Sequence, residues 1–206
     1  MNAPLMISLL CGRERDQWIN PRLADRLLQA IADGMESRRT VAVDLIEGVY
    51  PVENARNRAV QTFLGSPFQW LLMLDNDIIP PLNFLKIITE AESEGKFLFG
   101  VPTPMIGEEG LQWNVAHRED ELFCAFNITL PAGWNRCDFV GGAFLAVRRP
   151  VFETIKSNWF DRMPNKSEDF SFCQRAQDAG FQPWFTGDYQ CDHIHSAGLR
   201  ELMRRA

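Results

Sequence analysis

The segment WLLMLDND, residues 70–77, joins five consecutive large apolar residues to two carboxylates. Five such residues in a row predict a central parallel strand that is covered on both faces. In an open parallel sheet, ligands bind outside the carboxyl ends of the strands. Asp75 and Asp77 follow the strand directly, and in extended geometry residues two apart point to the same side. The segment therefore predicts a buried strand that ends at a ligand site.

The two carboxylates of this segment suit a divalent cation. Hard cations such as Mg²⁺ and Mn²⁺ take carboxylate oxygens as ligands and also bind diphosphates. Asp-x-Asp is a short pattern with a high rate of chance occurrence, so its position after the strand is what raises its value. A solvated turn before Pro80-Pro81 is the alternative interpretation.

Apolar runs and helical patterns alternate on both sides of this strand through the first hundred residues. The predicted strands are Met6–Cys11, Thr40–Ile46, Trp70–Leu74 and Phe97–Val101. The predicted helices are one that closes near Gly34, one over Glu53–Leu64, and one that is opened by Pro80-Pro81 and closed by Gly95. This alternation predicts an α/β fold with a doubly wound, mostly parallel central sheet and helices on both faces.

The second half of the chain is more mixed. Residues 102–137 are rich in turns and aromatic residues, and the later segments alternate short strands with helices. The predicted elements are strands at Trp113–Ala116, Leu122–Ile128, Phe144–Val147, Gln182–Phe185 and Tyr189–Ile194, with helices at Pro150–Ile155, Glu168–Ala179 and Leu199–Arg205. We expect one domain, with a nucleotide-binding-like half at 1–101 and a mixed half at 102–206.

Composition excludes several classes of protein. The chain has 206 residues and a net charge of −6, the opposite sign from that of most nucleic-acid binders. No apolar stretch approaches the roughly 20 residues of a membrane span. The five cysteines show no Cys-x-x-Cys pattern, so we expect reduced thiols and a cytoplasmic protein, with a peripheral position at a membrane as the alternative.

Three further groups of residues are candidates for a site. His193 and His195 share one face of a predicted strand and suit a metal or a phosphate, or form a hydrogen-bonded pair. Glu168 and Asp169 begin a helix after Ser167, where they act either as caps or as a general base. Gly141-Gly142 permits close approach of the backbone to a ligand, or forms a β-bulge.

Taken together and in this order, these segments resemble the GT-A glycosyltransferases, in particular the family 2-like enzymes. The resemblance covers most of the chain and rests on five segments in register: Glu53–Ala59, Trp70–Asp77, Phe139–Arg149, Ser167–Ala176 with the following Ala179-Gly180-Phe181, and Asp192-His193-Ile194. It implies a GT-A, Rossmann-like single domain. The family's glycine after the late isoleucine is replaced here by His195.

The resemblance also implies roles for individual residues. Asp169 would be the general base of an inverting displacement, and Glu168 would position sugar hydroxyls. Asp77 would bind the metal with His193, with His195 as the other candidate and Asp75 close to the metal or its water. The donor would contact Asp44 at the end of the second strand, Arg56, Asp75, Asn76, Gly141 and Gly142.

The function implied is transfer of a sugar from a nucleotide-sugar donor, most simply UDP- or GDP-linked, with Mn²⁺ or Mg²⁺. The acceptor would be a glycan, a lipid-linked sugar or a protein, on the side formed by 102–137 with Trp113, His117, Phe123, Phe126 and Trp134. A partly buried β core is the other interpretation of those aromatic residues. A nucleotide-sugar-forming nucleotidyltransferase and a non-catalytic binding module on the same fold are the alternative functions.

Overall fold

The computed structural model describes residues 2–12, 19–107, 110–119, 122–125 and 129–194. The helices are α1 (Pro21–Glu36), α2 (Val52–Leu64), α3 (Phe84–Ser93), α4 (Arg149–Ile155) and α5 (Glu168–Asp178). The strands are β1 (Leu5–Cys11), β2 (Val41–Glu47), β3 (Trp70–Asp75), β4 (Ile78–Ile79), β5 (Leu98–Gly100), β6 (Pro104–Gly107), β7 (Gly110–Trp113), β8 (Val115–Glu119), β9 (Leu122–Ala125), β10 (Trp134–Arg136), β11 (Phe139–Val140), β12 (Phe144–Arg148), β13 (Trp184–Thr186) and β14 (Asp192–His193).

A seven-stranded sheet forms the centre of the protein, in the order β10-β13-β5-β12-β3-β1-β2. Strands β1, β2 and β3 are parallel to one another, β12 is antiparallel to both β3 and β5, β13 is parallel to β5, and β10 is antiparallel to β13. Five strands therefore run in one direction and two in the other. The predicted mostly parallel α/β sheet is confirmed, with Trp70–Leu74 fully buried at its centre.

Helices cover both faces of this sheet, because alternate residues of each buried strand point to opposite sides. On one face, Leu5, Ile7 and Leu9 of β1 pack with α1 and α3. On the other face, Met6 and Leu10 pack with α2, and the same apolar cluster extends to α4 and α5. The burial of apolar surface on both faces is the main stabilising contribution to the sheet.

Three smaller pairings position the segments beside the central sheet. Strands β11, β8 and β9 form a three-stranded sheet, and β6 and β7 form a hairpin. Strand β14 pairs with β4, with His193 opposite Ile78. The amide of Ile194 also donates to the carbonyl of Asp77 at 2.9 Å. This pairing brings the late histidine segment beside the end of β3.

Two predicted helix boundaries are wrong. Helix α1 continues through Gly34 to Glu36, and a Cβ atom at Gly34 would lie 2.6 Å from Cγ2 of Val41, so this glycine serves close packing of the helix against β2. Pro80-Pro81 does not open a helix, because Ile78–Ile79 first forms strand β4 and a turn follows. Helix α3 begins at Phe84, after Asn83 in the left-handed conformation (φ 59°).

The predicted strands of the second half are mostly displaced or shorter than expected. Asn114 separates β7 from β8, because its amide and its side-chain Oδ1 both bond Thr103 instead of continuing a strand. Only Asp192–His193 of the predicted Tyr189–Ile194 strand is extended. The predicted elements at 126–128 and Leu199–Arg205 lie outside the described residues. Among the described helices, none has the length and apolar character needed to cross a membrane.

Candidate active site

Two adjoining cavities lie at the end of β3. The central cavity has a volume of about 530 Å³, and its lining includes Arg56, Asp75, Gly141, Gly142, Glu168, Asp169 and His193. The side cavity has a volume of about 200 Å³, and its lining includes Leu10, Gly12, Tyr50, Asp75, Asn76 and Asp77. Val52 and Asp75 line both. The structure thus brings most of the predicted site residues to one end of the sheet.

Arg56 holds two carboxylates together at the base of the central cavity. Its side chain is 3% exposed, with Nη2 at 3.2 and 3.3 Å from the two oxygens of Asp75 and Nε at 3.3 Å from Oε1 of Glu168. Its Nη1 donates to the carbonyl of Gly142 at 3.0 Å. All three nitrogens of the guanidinium are therefore engaged by the protein itself. The predicted contact between Arg56 and a nucleotide stays a prediction.

The acidic neighbours of Asp75 change its protonation. Burial raises the pKa of Asp75 to about 6, Arg56 opposes this rise, and the negative charges of Asp77, Glu168 and Asp169 add to it. Burial lowers the pKa of Arg56, but the negative charges of Asp75, Glu168 and Asp169 raise it to a net value above the ordinary one. The site concentrates negative charge around one buried guanidinium, which is the arrangement in which an added cation is stabilising.

Asp169 is held beside Arg56 by the main chain of Gly142. The Gly142 amide donates to Oδ2 of Asp169 at 3.1 Å, while the carbonyl of the same residue accepts from Arg56. The other oxygen, Oδ1, accepts from the amide of Phe170 at 2.9 Å and from the hydroxyl of Ser167. Ser167 stands at the N-cap of α5 but makes no side-chain bond to the helix amides. Its hydroxyl orients Asp169 instead.

Gly141 and Gly142 were expected to leave room for a ligand. In the structure, both pack closely against protein side chains. A Cβ atom at Gly141 would lie 2.9 Å from Cβ of Asn114, and one at Gly142 would collide with the guanidinium of Arg56. Both glycines line the central cavity. Their small size is therefore required for the construction of the site, and contact with a sugar stays a prediction.

His193 faces Asp77 across a short gap. Its Nε2 lies 3.2 Å from Oδ2 of Asp77, and its Nδ1 lies 3.0 Å from the carbonyl of Pro104. Both partners are acceptors, so a protonated ring can donate to both of them at once. The hydrogen bond to Asp77 is the main cause of a raised His193 pKa, against a smaller lowering by burial.

The same geometry fits a metal ligand. With its proton on Nδ1 donated to Pro104, the ring presents the Nε2 lone pair to the space beside Asp77, as metal-binding histidines do. Within the described residues, no group of three or more His, Cys, Asp or Glu side chains is arranged to hold a metal ion. One carboxylate and one imidazole nevertheless fit a cation whose remaining ligands are diphosphate oxygens and water. His195 lies outside the described residues.

The predicted position of Asp44 needs correction. Asp44 is the fourth of seven residues in β2, not its end, because Leu45 and Ile46 continue the pairing with Leu9 and Leu10. It lines neither cavity, and its Oδ2 is buried without a hydrogen-bond partner among the described atoms.

Asp75 and Asp77 are not related by extended geometry, since β3 ends at Asp75 and a turn follows. Asp75 meets Arg56 while Asp77 meets His193, although both line the side cavity. The amide of Asn76 donates to the carbonyl of Leu10 at 3.2 Å, which fixes this turn against β1.

Of the aromatic residues expected on the acceptor side, Trp113 lines the central cavity, whereas His117 and Trp134 do not. Trp134 packs edge-on against Phe99 in the central sheet, at 5.2 Å between ring centroids. The side chain of Phe123 and all of Phe126 lie outside the description.

The cavity also includes residues that the sequence did not single out as binding residues, namely Val52, Met105, Phe139 and Phe170. Phe139 and Phe170 flank the Gly141-Gly142 and Asp169 motifs, a signal that was available. Met105 carried none, because the β6–β7 hairpin was not predicted.

The fold is shared with solved structures. The structure of A197 from STIV aligns over 92% of this chain and 85% of that chain, with a TM-score of 0.64 and 15% identity. A GT-A glycosyltransferase, GalNAc-T7, aligns over 94% of this chain with a TM-score of 0.60 and 14% identity. The chain has the GT-A fold. The chain spans 44% of that GalNAc-T7 chain. No protein-family model and no curated protein matches the sequence.

Proposed function

We propose that the protein is a glycosyltransferase that moves a sugar from a nucleotide-sugar donor to a hydroxyl acceptor, with Mn²⁺ or Mg²⁺ and with inversion at the anomeric carbon. The observation that carries the proposal is the position of His193. Its Nε2 lies 3.2 Å from Oδ2 of Asp77, and its side chain lines the same cavity as Asp169. A cation site next to a general base is the arrangement that this transfer needs.

Asp77 and His193 would hold the cation. When bound there, it supplies positive charge for the diphosphate that leaves the sugar. The GT-A structure of GalNAc-T7 contains UDP, GalNAc and Mn²⁺, which supports a UDP-linked donor and Mn²⁺ for this chain as well. An imidazole ligand also favours Mn²⁺ over Mg²⁺, which prefers oxygen. The side cavity, which Asp75 and Asn76 line, would take the nucleotide.

Asp169 would accept the proton of the acceptor hydroxyl. As the proton moves to the carboxylate, the hydroxyl oxygen forms a bond to the anomeric carbon, and the bond from that carbon to the diphosphate oxygen breaks with its electron pair. The hydrogen bonds from the Gly142 amide and the Phe170 amide hold the carboxylate in one orientation. Glu168, which is 7% exposed and bonded to Arg56, would position sugar hydroxyls at the cavity floor.

A cytoplasmic location is part of the proposal. Cys11, Cys137 and Cys173 are buried free thiols, as expected in a reducing compartment.

Thermal unfolding with UDP-, GDP-, dTDP- and CMP-linked sugars, each with and without Mn²⁺, tests the proposal. We expect at least one donor to raise the melting temperature in a metal-dependent way, since a ligand that binds only the folded state stabilises it. His193→Ala should abolish this effect. Asp192→Asn is the matched control, because Asp192 adjoins His193 but bonds the surface residue Arg22 and lines neither cavity. If Mn²⁺ changes the melting temperature with none of the donors, the proposal is contradicted.

A further inference from the structure

The lining of the central cavity includes neutral polar side chains, such as Gln112 and Asn114, and two groups of opposite chemistry. Titratable side chains provide one group, namely Arg56, Asp75, Glu168, Asp169 and His193. Large apolar side chains provide the other, and we call them the apolar wall: Met105, Trp113, Phe139 and Phe170. The titratable group is already assigned to the cation, the donor and the proton transfer. The apolar wall has no part in those steps.

The apolar wall adjoins Asp169. Phe170 follows Asp169 in α5, and its ring stacks on that of Phe139 with centroids 3.9 Å apart and planes 15° from parallel. Phe139 lies in β11, two residues before Gly141, and the Gly142 amide bonds Asp169. The stacked pair is therefore linked to the Asp169 carboxylate in two ways: Phe170 is its neighbour in sequence, and Phe139 lies close in sequence to the Gly142 amide that bonds it.

Met105 extends the apolar wall to the rim of the cavity. It lies in the β6–β7 hairpin with 36% of its surface exposed, and it lines the cavity. Its neighbour Ile106 is 65% exposed and does not line the cavity, as expected for successive residues of a strand. A methionine side chain adapts its shape to an apolar partner at low cost.

We propose that the acceptor carries an apolar group, an alkyl chain or an aromatic ring, next to its nucleophilic hydroxyl, and that the apolar wall binds this group. The inference rests on the proposed function. A hydroxyl that gives its proton to Asp169 must enter the central cavity, so the part of the acceptor next to that hydroxyl must lie against Phe170 and its neighbours. Against these apolar side chains a purely polar group would lose water without gaining hydrogen bonds, whereas an apolar group gains by burial.

Calorimetric binding of methyl and hexyl β-D-glucopyranosides and β-D-galactopyranosides tests the inference, first with protein alone and then with UDP and Mn²⁺ present. We expect the hexyl glycoside to bind at least about tenfold more tightly than its methyl counterpart, since burying about two methylene groups suffices for that factor. A phenyl glycoside in the same series distinguishes an aromatic partner from an alkyl one.

Two neighbouring substitutions locate the binding group. Met105→Ser should reduce the preference for hexyl over methyl by at least about threefold, and Ile106→Ser should leave it unchanged, because only Met105 lines the cavity. Both residues are surface-exposed on one hairpin, so both variants should fold. Equal binding of methyl and hexyl glycosides would overturn the inference, as would an equal loss of preference in the two variants.

The two proposals fail in different ways. If the protein is not a nucleotide-sugar enzyme, no donor stabilises it with Mn²⁺, whatever the glycosides do. If the apolar wall does not bind the acceptor, a donor stabilises the protein with Mn²⁺ but methyl and hexyl glycosides bind alike.

Discussion

The guanidinium of Arg56 packs directly against the Cα atom of Gly142, so that a Cβ atom at this position would collide with Cζ and Nη2 of Arg56. The same glycine accepts from Nη1 through its carbonyl and donates to Asp169 through its amide. The backbone of one residue thus joins the buried guanidinium of Arg56 to the proposed general base. The geometry of Asp169 depends on a glycine that makes no contact through a side chain.

Gly142→Ala should therefore displace Arg56 and lower the free energy of unfolding by about 2 to 4 kcal/mol, the range for a disturbed buried ion pair. Urea unfolding measures this loss. Gly65→Ala is the control, since Gly65 has φ −74° and a Cβ atom there would be 3.5 Å from the nearest atom. An equal effect of the two substitutions would contradict the account of Gly142.

Arg56→Met should lower the free energy of unfolding near neutral pH by about 3 to 5 kcal/mol, because it removes the buried cation between Asp75 and Glu168 and leaves Glu168 only the more distant Arg162, at 3.9 Å. The loss should shrink as the pH falls below about 6, where Asp75 takes up a proton. Arg58→Met, at an exposed position of the same helix, should change stability by less than about 0.5 kcal/mol. A loss in Arg56→Met that does not vary with pH would show that the charge of Asp75 is not its cause.

The raised pKa of Asp75 predicts how the stability of the protein depends on pH. This pKa is raised in the folded state from 3.8 to about 6, so the contribution of Asp75 to stability is fully present below about pH 4 and is lost as the pH rises through about 6. Asp75→Asn should therefore stabilise the free protein above pH 6 relative to wild type, and not below pH 4.

The size of this gain is limited by water. The Asp75 side chain is 30% exposed, so we expect at most about 1 to 2 kcal/mol. Melting temperatures of wild type and variant between about pH 4 and about pH 8 measure it. A difference that is constant over this range, or that favours wild type more as the pH rises, would contradict the assignment.

His193 should make metal binding depend on pH. Its pKa is raised chiefly by the hydrogen bond to Asp77, and the proton occupies the same Nε2 that a cation would use. Mn²⁺-dependent stabilisation by a nucleotide sugar should therefore grow as the pH rises from about 5.5 to about 8. Asp192→Asn should keep this dependence, and a stabilisation that is the same at every pH would exclude His193 as a ligand.

The central strand and the helices that cover it were predictable because their signals are local. Trp70–Leu74 is buried on both sides, and α2 needs only its own apolar spacing to be recognised. The order of the strands follows less directly, since β12 enters antiparallel between β3 and β5 and no local pattern announces that.

The sequence predicted which residues form the site better than it predicted which of them contact one another. Asp77, Asp169 and His193 carry recognisable motifs, and the structure brings them to one end of the sheet. The role of Arg56 as a buried tie between Asp75 and Glu168 depends on residues 19 and 112 positions away. Met105 depends on the pairing of β6 with β7. Contacts of this range are set by the assembled fold.

Asp169→Asn gives the most direct test of the whole account. With the donor that stabilises the wild type, release of the nucleoside diphosphate in the presence of a hydroxyl acceptor and Mn²⁺ is compared with donor binding. We expect the variant to bind the donor as wild type does and release to fall by at least about 100-fold, the contribution of a general base. Asp178→Asn, at the exposed end of the same helix, should release as wild type does. If Asp169→Asn binds the donor and releases the nucleoside diphosphate at the wild-type rate, Asp169 is not the general base.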